Sequence, residues 1–185
     1  MNASFIPVRY AGALYEFALG HGSDYEIYVQ VGQLAGLLTN EKSLREMLGN
    51  PVLSAKIKKA FLQQAFSSPF HPDLDTFLDM VFLKRRETYL NFIFLRYTDI
   101  YRERNNIHFG KLITAVEVNA ETEEKLLGVM SKQTHGTLEI EKIVDKELIG
   151  GFVLEVDNVR WDASVAGQLK RVRKEFSKIY GKKLS

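Results

Sequence analysis

The sequence predicts an α+β protein that is mainly α: a six-helix bundle over residues 1–105, followed by a small α+β domain over 106–185. Two observations predict it. Up to Asn105, apolar residues recur three and four apart, between short clusters of Gly, Ser, Asn and Pro. Beyond Arg104-Asn105-Asn106 the apolar period falls to two in several short runs and returns to helical spacing twice. The bulk numbers agree. A chain of 185 residues, 45% hydrophobic and 26% charged, holds one domain or two small ones, and it has neither the low hydrophobicity nor the high net charge of a disordered chain.

Pro7 can open the first helix, which Gly20-His21-Gly22 closes. Ser23 or Asp24 caps the second, where Ile27, Val31, Leu34 and Leu38 repeat. Thr39 or Asn40 caps a short third helix, ended by Gly49-Asn50-Pro51. Ser54 begins a fourth, carrying Ile57, Phe61 and Ala65, and Ser67-Ser68-Pro69 breaks it. Pro72 opens a fifth, with Leu74, Phe77, Leu78, Val81 and Phe82 on one stripe and Asp73, Asp75 and Asp79 as its acidic start. A sixth runs through Ile93, Tyr97 and Ile100. Connections of a few residues imply antiparallel neighbours, hence a bundle.

In the second half, Leu112, Thr114, Val116 and Val118 alternate as a strand covered on both faces. Residues 120 to about 133 return to helix, and Leu138 to Val144 alternate again. Phe152, Leu154 and Val156 form one strand face; Asp157-Asn158 is a turn dipeptide; Val159 and Trp161 lie on the returning strand. Asp162 or Ser164 caps a final amphipathic helix bearing Val165, Leu169, Val172, Phe176 and Ile179. The order strand, helix, three strands, helix makes a small α+β domain.

This last third resembles the C-terminal signature of the delta subunit of bacterial F-type ATP synthase, the family of the mitochondrial oligomycin-sensitivity-conferring protein. The likeness rests on Leu138-x-Ile140, Val144-Asp145, Leu148-Ile149-Gly150-Gly151 and Asp162-x-Ser164-Val165 with Leu169. Asp157 and Ala163 stand where glycine is common in that family, and Ala166 and Gln168 where arginines are frequent. In the first half, Arg9-Tyr10-Ala11 and Ala13-Leu14-Tyr15-Glu16 resemble the family's opening helix. Asn50-Pro51 with Lys58 or Lys59 resembles its third-to-fourth helix junction, and Arg86 sits where an arginine follows helix five. The resemblance implies a connector without an active site. Residues 1–105 would bind the N-terminal helix of an α subunit of the catalytic head, and residues 106–185 would grip the b subunits of the peripheral stalk. It implies a peripheral position on the cytoplasmic face of the plasma (inner) membrane, held through the complex.

Periodicity suggests where the contacts lie. On the first helix Val8, Ala11, Tyr15 and Ala18 form one apolar stripe, and Tyr10, Ala13, Leu14 and Phe17 a second. Such a helix is either packed from several sides or lines a groove. On the fifth, Met80 and Leu83 lie opposite the main stripe. Together with the resemblance, this marks Tyr10, Ala13, Phe17, Met80 and Leu83 as the site for the α-subunit helix. Leu169, Val172 and Phe176 on the final helix are the corresponding candidates for the b subunits, and Gly150, Gly151, Asp162 and Ser164 are the structural signature.

The remaining chemistry is sparse. There is no cysteine, so disulfides and thiolate chemistry are excluded. The Gly150-Gly151 pair lacks the longer glycine pattern and lysine of a phosphate loop. His21, His71, His108 and His135 make no metal-ligand spacing, and no serine sits in a nucleophile motif, so no catalytic residue, cofactor or metal is expected. MNASFIPVRY has neither the basic nor the apolar region of a secretory signal, and no run approaches the ~20 apolar residues of a membrane-spanning helix. From Lys170 onward cations far outnumber the single acid, Glu175. A solvated basic face accounts for that, or a surface for charged stalk helices. The alternative function is a nucleic-acid-binding module using this helix, although basic clusters with exposed aromatics are not found elsewhere and no nucleic-acid partner is expected.

Overall fold

A computed structural model describes residues 5–116, 136–157 and 159–181. The chain divides into two compact units, Met1–Arg104 and Asn105–Ser185. The architecture is the mainly helical α+β class that the sequence predicts, with four strands among the described residues.

The first unit contains α1 (Phe5–His21), α2 (Asp24–Asn40), α3 (Lys42–Gly49), α4 (Ala55–Phe66), α5 (Pro72–Leu83), a 3-10 turn (Glu87–Tyr89) and α6 (Leu90–Asn105). Its core is the set of inward rows. Leu14, Ile27, Leu34, Leu38, Leu74, Leu78, Leu90, Ile93, Phe94 and Tyr97 are almost wholly removed from water. Each such aliphatic side chain contributes about 1.5–3 kcal/mol by burial. Tyr97 keeps its hydroxyl satisfied by donating to the Asp24 carbonyl at 3.1 Å, and burial pushes its pKa well above the ordinary phenol range.

The helix ends follow local chemistry. At the end of α1, Gly22 N–H donates to Leu19 O at 3.2 Å and Ser23 N–H to Ala18 O at 3.0 Å, with Gly22 at φ 69°. This pairing satisfies carbonyls the helix leaves open. The end of α5 repeats it without glycine: Arg85 sits at φ 52° while Arg86 N–H donates to Val81 O. Pro72 opens α5, and the His71 ring nitrogen accepts the Asp73 N–H. Ser54 caps α4 by accepting from Ile57 N–H.

Four readings of this half need correction. The first helix begins at Phe5, with Pro7 inside its first turn, where a missing N–H costs nothing. Val8 is 47% exposed and Leu14 fully buried, so the inward row of α1 is Ala11, Leu14, Tyr15 and Ala18. The cap of α3 is Glu41, not Thr39 or Asn40, because α2 runs on to Asn40. On α4 the row Ile57, Phe61 and Ala65 faces outward, and Lys58, Leu62 and Phe66 face inward. A lysine occupies that core-facing row because its ammonium meets the Glu87 carboxylate at 2.6 Å.

In the second unit β1 (Ile107–Thr114), β2 (Thr137–Val144), β3 (Phe152–Val156) and β4 (Val159–Asp162) form one sheet in the order β2-β1-β3-β4. β1 and β2 are parallel; β1–β3 and β3–β4 are antiparallel. The predicted face of β3 holds: Leu154 and Val156 join Leu112 in a buried cluster against Phe152, Leu138, Ile140 and Trp161. The first strand ends at Thr114, so Val116 is 71% exposed and outside the sheet. The expected helix near 120–133, Val118 and the Asn158 half of the turn lie outside the described residues. Asp157 holds φ 49° at the β3–β4 turn, as a turn Asp can. Helix α7 (Val165–Gly181) closes the described chain.

Candidate docking surfaces

In the first unit, α1 and α5 lie side by side. Near the start of α1 the Tyr10 ring meets Phe77 edge-on with centroids 6.4 Å apart; at its end His21 Nδ1 lies 3.1 Å from Asp73 at the start of α5. The two helices are therefore antiparallel. At 100° per residue, Tyr10 and Phe17 flank the core row of α1, and Ala13 lies farther round on its outward side. Tyr10 is half-buried, Ala13 exposed and Phe17 39% exposed.

On α5 the row Leu74, Phe77, Leu78, Val81 and Phe82 is buried, as expected. Met80 is 38% and Leu83 77% exposed, one turn apart on the outward side. Met80 lies three residues on from Phe77, so at 100° per residue it falls on the Phe77 side of α5. Leu83 leans towards α4 and lines a depression of about 510 Å³ there, together with Ala60 and Phe82. Tyr10 thus lies at the α1–α5 contact, Phe17 lies beside His21 at its other end, and Leu83 lies on the α4 side of α5.

On the α4 side Lys59 bridges Asp75 at 2.8 Å and Asp79 at 2.6 Å. Burial opposes its charge, but the two carboxylates outweigh that and raise its pKa. The Ile57–Phe61–Ala65 row adds apolar surface that sequence reading assigned to the helix without placing outside. Phe61 and Ala65 line a second depression, of about 600 Å³, with Leu37, Leu44 and Met47.

In the second unit the final helix presents Val165, Leu169, Val172 and Phe176 as an exposed stripe, 38 to 61% accessible. Lys170, Arg171, Arg173 and Lys174 are also exposed. The signature residues build the junction that launches this helix. Ser164 caps it: its hydroxyl accepts Gly167 N–H at 3.0 Å. Asp162 holds that hydroxyl, accepting Ser164 Oγ–H at 2.6 Å and Ser164 N–H at 3.0 Å, contacts that pull the Asp162 pKa down. Gly150 O accepts Val165 N–H, and Gly151, at φ 78°, passes so close to the Ala163 carbonyl that no Cβ fits. Gly167 escaped notice in the sequence. A Cβ there would strike the Asp162 carboxylate, and the Asp162-x-Ser164-x-x-Gly167 spacing was the signal available.

Among the described residues no three His, Asp or Glu side chains cluster as metal ligands, and no helix is long and apolar enough to cross a membrane. His21 and His71 face Asp73, and His108 on β1 faces Asp157 of the β3–β4 turn at 2.7 Å.

Residues 6–176 match the family model described as ATP synthase delta (OSCP) subunit. The chain is 37% identical over 177 residues to the ATP synthase subunit delta of Phocaeicola vulgatus, covering 95% of this chain and 96% of that one. It is 36% identical over 178 residues to that of Bacteroides thetaiotaomicron and 32% over 175 residues to that of Prochlorococcus marinus, with similar coverage. In fold it is similar to a chain of the Toxoplasma gondii mitochondrial ATP synthase hexamer, with a TM-score of 0.69 at 19% identity over 92% of this chain and 97% of that one.

Proposed function

Because the chain belongs to the ATP synthase delta (OSCP) subunit family, and is thus a non-catalytic subunit of a membrane-associated rotary complex, we propose that it is the connector between the catalytic head and the peripheral stalk. Residues 1–105 form the head-binding domain and residues 106–185 the stalk-binding domain. The α1–α5 surface of Tyr10, Ala13, Phe17, Met80 and Leu83 takes the N-terminal helix of a head α subunit. The α7 stripe of Leu169, Val172 and Phe176, with its basic flank, takes the b subunits. The chain sits peripherally on the cytoplasmic face of the inner membrane through these partners.

One observation carries the reading: each of the two units exposes an apolar helix face, so one chain can hold two partners at once. Rotation of a central shaft applies torque to the head, and a stator must resist it. Apolar interfaces suit that task, because close-packed side chains resist sliding and are little weakened by salt.

The test is capture of catalytic head from the same cells by the full-length chain, repeated at high salt. Met80→Glu with Leu83→Glu places charge in the groove and removes capture, while Leu169→Glu with Val172→Glu spares the head and removes the b subunits. Capture that survives the groove pair overturns the docking assignment. Capture that collapses with salt instead identifies a charge-driven contact through the basic flank of α7.

A further inference from the structure

One end of the proposed head-docking groove is a polar knot that the docking reading leaves unused. His21 closes α1, Ser23 stands just before α2, His71 caps α5, and Asp73 lies in the first turn of α5. Asp73 Oδ1 is 3.1 Å from His21 Nδ1. Its Oδ2 accepts the Ser23 hydroxyl at 2.6 Å and is 3.8 Å from His71 Nδ1. His71 Nδ1 in turn accepts the Asp73 backbone N–H at 3.3 Å. A nitrogen that accepts carries no proton, so protonating His71 there would break the α5 cap. His21 has no such duty. On its other side its ring meets Phe17 edge-on, with centroids 4.4 Å apart. One imidazole therefore touches both the groove wall and the first turn of the opposite helix.

From these contacts we infer that His21 is a positioning residue for the groove, and that its protonation tightens docking of the partner helix. This rests on the docking reading above. The neutral ring donates one hydrogen bond to Asp73; the imidazolium makes that bond charge-assisted and places a cation at the C-terminal end of α1, where the helix dipole favours it. Both effects hold the ring, and with it Phe17, in one position. A groove wall ordered beforehand loses less side-chain freedom on binding. Asp73 of α5 faces His21 directly; His71 at the start of α5 and Ser23 at the start of α2 meet that same carboxylate, and Asp24 follows in the first turn of α2. Protonation of His71 acts in the opposite sense, through the lost cap.

The test measures affinity of the full-length chain for catalytic head at pH 8 and pH 6, at constant ionic strength. His21→Gln keeps a neutral donor, and His71→Gln keeps an acceptor for the cap. Relative to His21→Gln, the wild type gains roughly three- to fivefold in affinity on going to pH 6, and His71→Gln retains that gain. In the free chain, the Phe17 ring resonances move between pH 8 and pH 6 in the wild type and stay in place in His21→Gln. Coincident pH profiles for wild type and His21→Gln, or Phe17 resonances that ignore His21, overturn the inference and leave the groove standing. Binding that survives Met80→Glu with Leu83→Glu overturns the groove reading and this inference with it.

Discussion

Lys58 and Glu87 form an ion pair at 2.6 Å with both side chains almost out of water, joining α4 to the turn between α5 and α6. Only one Glu87 oxygen is engaged; the other is buried with no hydrogen-bond partner. Deleting one member of such a pair strands a buried charge, which costs about 3–5 kcal/mol, whereas replacing both by apolar groups is close to neutral. Lys58→Met should therefore lower the urea midpoint sharply, and Lys58→Met with Glu87→Leu should recover most of the loss. A double variant as unstable as the single one would mean the pair is not what holds the turn.

Phe77 and Met80, three residues apart on α5, separate stability from docking. Phe77 is buried and touches Tyr10, so Phe77→Ala should cost about 3–5 kcal/mol of folding stability. Met80 is substantially exposed, so Met80→Ala should change stability by no more than about 0.5 kcal/mol while weakening head capture. Denaturant unfolding of both variants beside the capture assay checks the pair.

Asp73 sets a pH dependence of folding. The Ser23 hydroxyl lowers its pKa most, burial opposes this, and the two imidazoles add to the lowering. A carboxylate whose folded pKa lies below its unfolded value adds stability that is complete above the unfolded value, about 4, and is lost as pH falls through the folded one. The wild type should lose stability on acidification below about pH 4 more steeply than Asp73→Asn. Urea midpoints between pH 7 and pH 2.5 supply the comparison, and parallel curves would remove Asp73 from the acid response.

The helices and the sheet were legible because their signals are local. Pro72, Ser54 and Gly22 act within one turn, and Phe152, Leu154 and Val156 show their common face by alternation alone. What misled was non-local. The row Ile57–Phe61–Ala65 marked a helix but not its inward face, because Lys58 cannot be counted as core by pattern and becomes core only through Glu87, 29 residues on. Leu14 falls in the second stripe of α1 and Val8 in the first, and only the positions of α2 and α5 decide that Leu14 is core and Val8 is not. The α1–α5 surface was visible as spare apolar residues; that Leu83 leans towards α4 is visible only once Lys59 is seen bridging to Asp75 and Asp79. Nothing in the spacing of His21 and Asp73 foretold that they meet.

The glycine pair of the second unit yields the most selective prediction, since its two members differ. Gly151 holds φ 78°, and a Cβ there would run into the Ala163 carbonyl, so Gly151→Ala meets both backbone strain and a clash with main chain. Gly150 has an ordinary backbone, and a Cβ there meets only a Val165 methyl, at 3.3 Å, which can give way. Gly151→Ala should cost about 1–3 kcal/mol, and Gly150→Ala well under 1 kcal/mol. Trp161, the only tryptophan, packs against the sheet core of this unit, so its fluorescence reads the unit alone. Far-ultraviolet circular dichroism is dominated by the helices of the first unit. Gly151→Ala should lower the denaturation midpoint seen by Trp161 and leave the main helical transition in place. Equal shifts for the two alanine variants would show that the left-handed backbone at Gly151 is not what braces Ala163 and the start of α7.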